Sequence, residues 1–418
     1  MLSDIIYKNN NKAENFCCIL LSFLPIIFFF GNGAGNTLVI IIDALFLYIL
    51  IKNKQLNFLN HYLFYLLIIF WLIMLGNLIF SINFENSLGR SVGFIRFIFL
   101  IFAIKFFLKF EKNNYKDFIL KFWFFFLTII SLDIIFEIIF GFNTLGFSSY
   151  MPGRLSSFFN QELKIGNLYS SFYLIILSFL LYLKSSNSKF GKKIFKNYSL
   201  NYLFFLILFF VLISFFIGER SNLIRVIIMS VLFFFIISKN WVSILKFLIT
   251  SILVTTIFLT SSKNYHWRYW DAFLKPLILN PLEFVDKSYY GSHYKTAIQV
   301  FNNHKLYGVG LKNYRLEVQK DEYPDLSSIH PHQVHFEVLA ELGTIGYLYF
   351  IFFMVVSIFK SIISYRNKKD YFVLSGMLYV ITILLPILPS GSFFTSFGAT
   401  VFWVNYAFMT SNFPNDFK

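Results

Sequence analysis

Residues Ile329–Tyr347 read I-H-P-H-Q-V-H-F-E-V-L-A-E-L-G-T-I-G-Y, and their reading decides the fold. Three histidines (His330, His332, His335) and two glutamates (Glu337, Glu341) stand where a hydrophilic loop turns into an apolar run that reaches about residue 359. Ionisable groups at that depth are costly in a membrane helix and usually mark a working site. Two questions follow: what surrounds the cluster, and which side of a bilayer it faces.

The 418-residue chain is 57% hydrophobic and 14% charged, with 60 Phe. Its apolar residues come in runs long enough to cross a bilayer, separated by short polar breaks, whereas a soluble core would show half-polar periodic helices. The fold class is therefore an all-α polytopic membrane protein. Runs fall near 15–30, 35–51, 61–82, 91–108, 118–140, 166–183, 200–217, 222–238, 243–260, 337–359, 371–387 and 393–410, which makes about 12 transmembrane helices. Cys17 and Cys18 are adjacent in the first run and read as small core residues, not as a disulfide framework. No cleavable signal stands out, and the N-terminus reads as a cytoplasmic lead into a first span.

A net charge of +15 would suggest nucleic acid in a soluble domain. Here the cations gather in alternate loops, as membrane orientation requires, so no nucleic-acid partner is expected. One set holds Lys8 and Lys12; Lys52 and Lys54; Lys109, Lys112 and Lys116; Lys184, Lys189, Lys192, Lys193 and Lys196; Lys239; and Lys360, Arg366, Lys368 and Lys369. The opposite set is nearly empty: Arg90, then Arg154 and Lys164, then Arg220. Strict alternation of twelve spans reproduces this asymmetry and puts both termini in the cytoplasm. Three polar segments then lie outside: about 141–165, the turn Gly218–Asn222, and roughly 75 residues from Ser261 to Phe336, between helices 9 and 10. The last should hold one or two short helices, for instance around Tyr294–Asn302, without forming an independent domain. No internal repeat is evident.

Within these outer segments, Pro331 suits the first turn of a helix, so the tenth span should begin there. His332 would then sit at a helix N-terminus, where the macrodipole disfavours the imidazolium and leaves the neutral base that proton abstraction needs. Two other readings stay open. One is a hydrogen-bonded interfacial histidine, and the other is a zinc site built on H-x-H-x-x-H. Glu337 and Glu341, four apart, share a helix face and suit orienting a histidine or holding an arginine; Gly343 and Gly346 read as close helix packing. Arg220, in the outer turn, and Arg225, one helical turn on, suit a phosphate or pyrophosphate, with snorkelling the plainer reading of Arg225.

The run Pro152–Asn160 brings Arg154 among hydrogen-bonding side chains, and the large loop adds His266, Arg268, His293 and the stretch Gly308–Arg315. Its glycine pair lacks the preceding strand and third glycine of a nucleotide loop. Asp321–Asp325 reads as a solvated turn. Excess cation with one base and no acidic metal motif suits a lipid-linked pyrophosphate donor and a hydroxyl nucleophile, the arginines offsetting charge on the leaving group.

The order of these pieces resembles the O-antigen ligase and O-antigen polymerase superfamily of bacterial envelope enzymes. Arg154 to Gly166 is similar to its R-x-S-G-x-F-x-x-x-N-x-x-G-type loop, Gly218–Asn222 to its arginine turn, Thr296–Arg315 to its short helix with G-x-G and an aromatic, and His330–Gly346 to its H-x-H-N-x-x-L-E-x-x-x-E-x-G-x-x-G signature. The resemblance covers roughly 150–350 and implies a GT-C-like scaffold acting without cofactor or metal on undecaprenyl-pyrophosphate-linked glycans at the periplasmic face of the inner membrane. It implies His332 as base and Arg220 as pyrophosphate ligand, with Arg154, Arg225, Arg268, Arg315, His330 and Glu337 as substrate-binding candidates. Two positions depart from the pattern. Gln333 replaces the usual Asn, and Tyr290-Gly291-Ser292-His293 stands where relatives often carry an arginine, for which Arg268 or Arg315 would substitute.

The resulting expectation is five N-terminal spans (1–140), a catalytic membrane part (141–410, with the periplasmic loop 261–336) and a cytoplasmic tail (411–418). Its reaction would be inverting transfer onto lipid A–core. Polymerisation onto a second lipid-linked repeat, and a lipid-linked oligosaccharide transporter, are the alternatives.

Overall fold

The computed structural model describes residues 12–109, 114–160, 162–185, 200–238, 240–323 and 328–413. Several cations used for orientation (Lys8, Lys112, Lys189, Lys192, Lys193, Lys196, Lys239) and the tail residues 414–418 lie outside this set. The described residues form helices and connecting turns, with no strand.

Eight helices are long and apolar enough to cross a membrane: Asn32–Lys52, Tyr62–Phe80, Phe84–Lys109, Tyr115–Phe140, Ile165–Lys184, Arg220–Ser238, Trp241–Thr260 and Val334–Lys368. Tyr202–Ile217 and Tyr371–Ile383 are apolar but shorter. Proline explains two of the runs that fall short of a full span. Pro25 follows the Lys12–Ser22 helix, and only a tight turn at Ile27–Phe30 resumes beyond it. Pro386 and Pro389 follow the helix that stops at Ile383.

Two compact units divide the chain. The first comprises Met1–Lys116, Leu282–Lys368 and Ile383–Lys418; the second comprises Asp117–Pro281 and Lys369–Thr382.

In the first unit the abundant Phe becomes edge-on packing. Phe70 meets Phe94 at 5.6 Å, Phe94 meets Trp403 at 5.5 Å and Phe393 meets Phe402 at 4.8 Å between ring centres. Each such pair contributes about 0.5–1.5 kcal/mol beyond its buried area. The long Val334–Lys368 helix is not continuous, because Gly343 has φ 64° and ψ −166°. The break frees backbone groups on both sides, and the loop after Asn303 takes them. Val309 N–H donates to Ala340 O and Gly310 N–H to Glu341 O, both at 2.9 Å, while Thr344 N–H donates to Lys305 O at 2.8 Å. Gly343 is therefore a strand-like crossing point for the G-x-G loop, not the helix-packing glycine the sequence suggested. Gly308, its opposite number, is equally tight: an added Cβ would lie 2.5 Å from the Glu341 backbone.

In the second unit two carboxylates on the Tyr115–Phe140 helix fasten the following loop. Glu137 accepts from Ser156 N–H at 3.1 Å and Ser157 N–H at 2.8 Å. Asp133 accepts from Thr144 N–H at 2.9 Å and from the Ser157 hydroxyl. This loop carries Arg154. Beyond the Trp241–Ser261 helix, an amphipathic segment including the π-helical His266–Leu274 is pinned by two phenols. Tyr265 donates to Phe216 O at 2.9 Å and Tyr269 to Phe215 O at 2.7 Å. That fixes Arg268 against the end of Leu200–Ile217. The expected loop helix near Tyr294–Asn302 is present as Tyr289–Asn303, in the first unit.

Candidate functional site

The histidines of the opening motif are assembled in the first unit. The Tyr289–Asn303 helix packs against Val334–Lys368 through Ala297, Val300, Val309, Tyr314 and Ala340, with Phe336 beside them. This registration turns His293 inward, fully buried, with its ring stacked 5.3 Å from that of His332. His330 lies on the other flank of His332 at 4.0 Å, and Tyr290 approaches it edge-on at 5.7 Å. Ser328 bridges the pair, donating its N–H to His293 Nδ1 at 3.3 Å, with its hydroxyl 3.2 Å from His332 Nε2. Nε2 of His293 is buried without a hydrogen-bond partner.

His332 itself has φ +59°, a left-handed conformation that costs a non-glycine residue energy and is met at sites whose surroundings over-determine it. Its carbonyl is held by Ser390 N–H at 2.7 Å. The helix begins three residues later than the proline suggested, at Val334. The reason is Gln333, whose side-chain carbonyl accepts from His335 N–H at 2.7 Å and Phe336 N–H at 3.2 Å. The amide thus performs the N-terminal capping role usually filled by Asn, Asp or Ser. His332 sits just outside the helix, and its neutrality has another source than the macrodipole. Burial, then His330, then His293 push its pKa down to about 3. His330 is lowered to about 4 by burial, then by Arg315, His293 and Arg90, and burial also lowers His293.

The remaining members of the motif serve other partners. His335 places Nε2 2.8 Å from Leu384 O and Nδ1 3.2 Å from the Tyr347 hydroxyl, so neither nitrogen points at His330 or His332. Among the described residues, no three His, Cys, Asp or Glu side chains gather as a metal would require. Glu337 is fully buried and accepts from the Ser392 hydroxyl and Phe393 N–H, each at 2.7 Å, which holds the segment before the last helix. Glu341 keeps one buried carboxylate oxygen without a hydrogen bond. Arg315, two residues past the G-x-G loop anchor Asn313, has a buried Nε in the same condition.

The second unit gathers the other arginines around Glu219. Arg154 forms an ion pair with Glu219 at 3.0 Å and donates to Leu163 O at 2.9 Å. Gly166 N–H donates to the same carboxylate at 3.2 Å, and the Asn222 amide also donates to it. Arg225 Nη1 donates to Asn222 Oδ1 at 2.6 Å. At 1% exposure Arg225 is enclosed by protein and does not snorkel. Arg268 donates to Gly218 O, and Arg220 donates to Ala272 O at 2.9 Å with its guanidinium 5.5 Å above the Phe273 ring. Gly218, at φ +79°, lies so close to the Gly153 carbonyl that no side chain fits between the two turns. Arg268 is pressed down to about 10 by burial, then by Arg154 and Arg220, and stays charged at neutral pH. Several guanidiniums around a single carboxylate leave surplus positive charge, the electrostatics of an anion site.

The proposed site residues therefore fall into two sets. His332, His330, Arg315 and Glu337 lie in the first unit, and Arg220, Arg154, Arg225 and Arg268 in the second. Three neighbours escaped sequence reasoning. His293 registered as one of several polar groups in the large loop and as a departure from an expected arginine, Glu219 as a letter within a turn, and Arg90 as an orientation charge.

Comparison with known families returns the model Wzy_C, O-antigen ligase, over residues 202–351. That stretch contains Arg220, Arg225, Arg268, Arg315, His330, His332 and Glu337, and bears out the resemblance to the O-antigen ligase and polymerase superfamily. Arg154 and Arg90 lie outside it. No curated protein matches the chain.

Proposed function

From the premise of an O-antigen ligase domain over residues 202–351, we propose that this multi-pass protein is an inverting glycosyltransferase of the bacterial inner membrane. It moves a glycan from undecaprenyl pyrophosphate onto a hydroxyl of lipid A–core at the periplasmic face, across a scaffold of about 12 spans. The supporting observation is His332: an imidazole kept neutral by burial, strained at the backbone and flanked by Ser328.

In the reaction, His332 takes the proton of the acceptor hydroxyl as that oxygen attacks the anomeric carbon. The bond from this carbon to the pyrophosphate oxygen breaks, and its electron pair leaves with the diphosphate. Inversion follows from attack opposite the leaving group. Arg220, Arg154 and Arg268 offset the charge that builds on the departing oxygens, and Arg225 acts indirectly by fixing Asn222, which donates to Glu219. Glu337 keeps the 392–394 segment in place, a positioning role rather than direct contact.

Deletion of the gene followed by lipopolysaccharide gel analysis tests the assignment. Core-only lipopolysaccharide with accumulated lipid-linked polymer supports ligation. Core carrying a single repeat unit would instead make the enzyme a polymerase, and an unchanged ladder would remove both.

A further inference from the structure

His293 is fully buried, whereas its neighbours His330 and His332 are half-buried. What each ring nitrogen meets fixes its protonation. Nδ1 accepts the Ser328 N–H at 3.3 Å, so that nitrogen carries no proton. A neutral imidazole then holds its proton on Nε2, which is buried without a hydrogen-bond partner and has the Tyr289 ring nearby, edge-on at 4.1 Å between centres. A second proton would have to sit on Nδ1, facing the Ser328 N–H, donor against donor. Burial acts in the same direction and lowers the pKa of His293. His293 is thus held as a neutral acceptor.

The segment from Ser328 to His332 is tied at both ends. At its start the Ser328 N–H is bound by His293, and at its end the His332 carbonyl is bound by Ser390 N–H at 2.7 Å. Between them Pro331 is buried, its ring restricting backbone rotation. The Ser328 hydroxyl closes the turn at 3.2 Å from His332 Nε2. The His293 ring lies against that of His332 at 5.3 Å and 21° between planes. These ties matter because His332 is left-handed at φ +59°, a conformation that a non-glycine residue keeps only where its surroundings over-determine it. With one end released, the backbone can turn to a commoner dihedral and carry the imidazole with it. His293 supplies both the tie at the first end and the flat surface on which the His332 ring rests.

We propose that His293 is a positioning residue for His332: it anchors Ser328 through Nδ1 and backs the His332 ring with its own, so that the strained imidazole keeps its orientation toward the acceptor hydroxyl. The inference rests on His332 acting as the base in the transfer reaction inferred above. An arginine at this position, which has donors only, could not accept the Ser328 N–H.

The test measures single-turnover transfer from undecaprenyl-pyrophosphate-linked glycan to lipid A–core, together with donor binding and the melting midpoint, for the full chain in nanodiscs. His293→Phe keeps a stacking ring and removes Nδ1. It should transfer about tenfold more slowly, the factor that one hydrogen bond is worth, with donor binding and midpoint unchanged because the unpartnered Nε2–H goes with it. His293→Asn keeps an acceptor at the place of Nδ1 and recovers part of the loss. His293→Leu, of similar size without the carbonyl, does not, and this pair makes the same comparison should the Phe variant fail to fold. Because the effect passes through His332, His293→Phe/His332→Gln is no slower than His332→Gln alone. Folded His293→Phe or His293→Leu protein transferring at the wild-type rate overturns the inference. So does a double variant that loses the product of the two single effects, since His293 then acts independently of His332. A loss of donor binding in His293→Phe that matches its loss of transfer also overturns it, making His293 a substrate contact. The reaction assignment falls separately, on a folded His332→Gln protein that transfers at the wild-type rate, whereas a slow His332→Gln beside a fast His293→Phe removes only the positioning role.

Discussion

Replacing Gly343 with Ala removes the crossing on which the histidine site is built. The native φ and ψ of 64° and −166° fall in a region essentially reserved for glycine, so alanine there costs on the order of 1–3 kcal/mol. Its Cβ would also press on the Leu306 carbonyl and come 2.5 Å from Gly308 N, both backbone atoms that cannot swing aside. The loop must retreat, which puts at risk the bonds from Val309 to Ala340 (2.9 Å), Gly310 to Glu341 (2.9 Å) and Thr344 to Lys305 (2.8 Å). At about 1 kcal/mol for each bond, losing two of them brings the total to roughly 3–5 kcal/mol. That is a large share of the ~5–15 kcal/mol that typically holds a domain together. The assay is the melting midpoint of the full chain in detergent, followed by size-exclusion chromatography after heating. Gly343→Ala should melt roughly 5 °C or more below the wild type. Gly89→Ala is the control, because nothing lies within 4 Å of its added Cβ and helix propensity favours the change. A Gly343→Ala midpoint within a degree of wild type would refute the proposed role of the crossing.

Glu219→Gln breaks the ion pair with Arg154, so glycan transfer should fall about tenfold with the protein still folded, and Glu219→Gln/Arg154→Gln should be no slower than the worse single variant. Glu337→Gln puts an amide donor against donors at Ser392 and Phe393, and chemical unfolding should show about 1–3 kcal/mol of lost stability. Acid should destabilise the protein early. With folded values near 3 for His332 and 4 for His330, the unfolded chain binds more protons as pH falls below about 6.5, so the native state loses at most about 1.4 kcal/mol per pH unit for each histidine until its folded value is reached. Melting midpoints at pH 7.5, 6 and 5 should drop less steeply for His332→Gln, and equal slopes would contradict the burial-driven shift.

Much of the scaffold could be read from the chain because bilayer spans announce themselves as uninterrupted apolar runs. The runs interrupted by Pro25 and Pro386 were harder, since composition alone does not show where a helix is cut. The histidine cluster was visible for its cost in a membrane, and the arginine turn for its isolation on the sparsely charged side. What spacing could not show was pairing across long separations. Asn86 and Ser87 find the 311–313 loop more than two hundred residues away, and only that clasp ties the helix carrying Arg90 to the G-x-G loop. Local patterns also misassigned Gly343 and the helix start, because a capping glutamine and a Gly-only dihedral leave no periodic trace. Glu219 went unnoticed because its partners are distant in sequence, Arg154 in an earlier loop and Gly166 at the start of the Ile165–Lys184 helix.

Single-turnover transfer from undecaprenyl-pyrophosphate-linked glycan to lipid A–core, by the purified full chain in nanodiscs, examines the role of His332 most directly. Wild-type protein should release undecaprenyl pyrophosphate in step with glycan transfer, and His332→Gln should bind donor normally while transferring about 10²–10⁴-fold more slowly. A folded His332→Gln protein that transfers glycan at the wild-type rate would contradict the account.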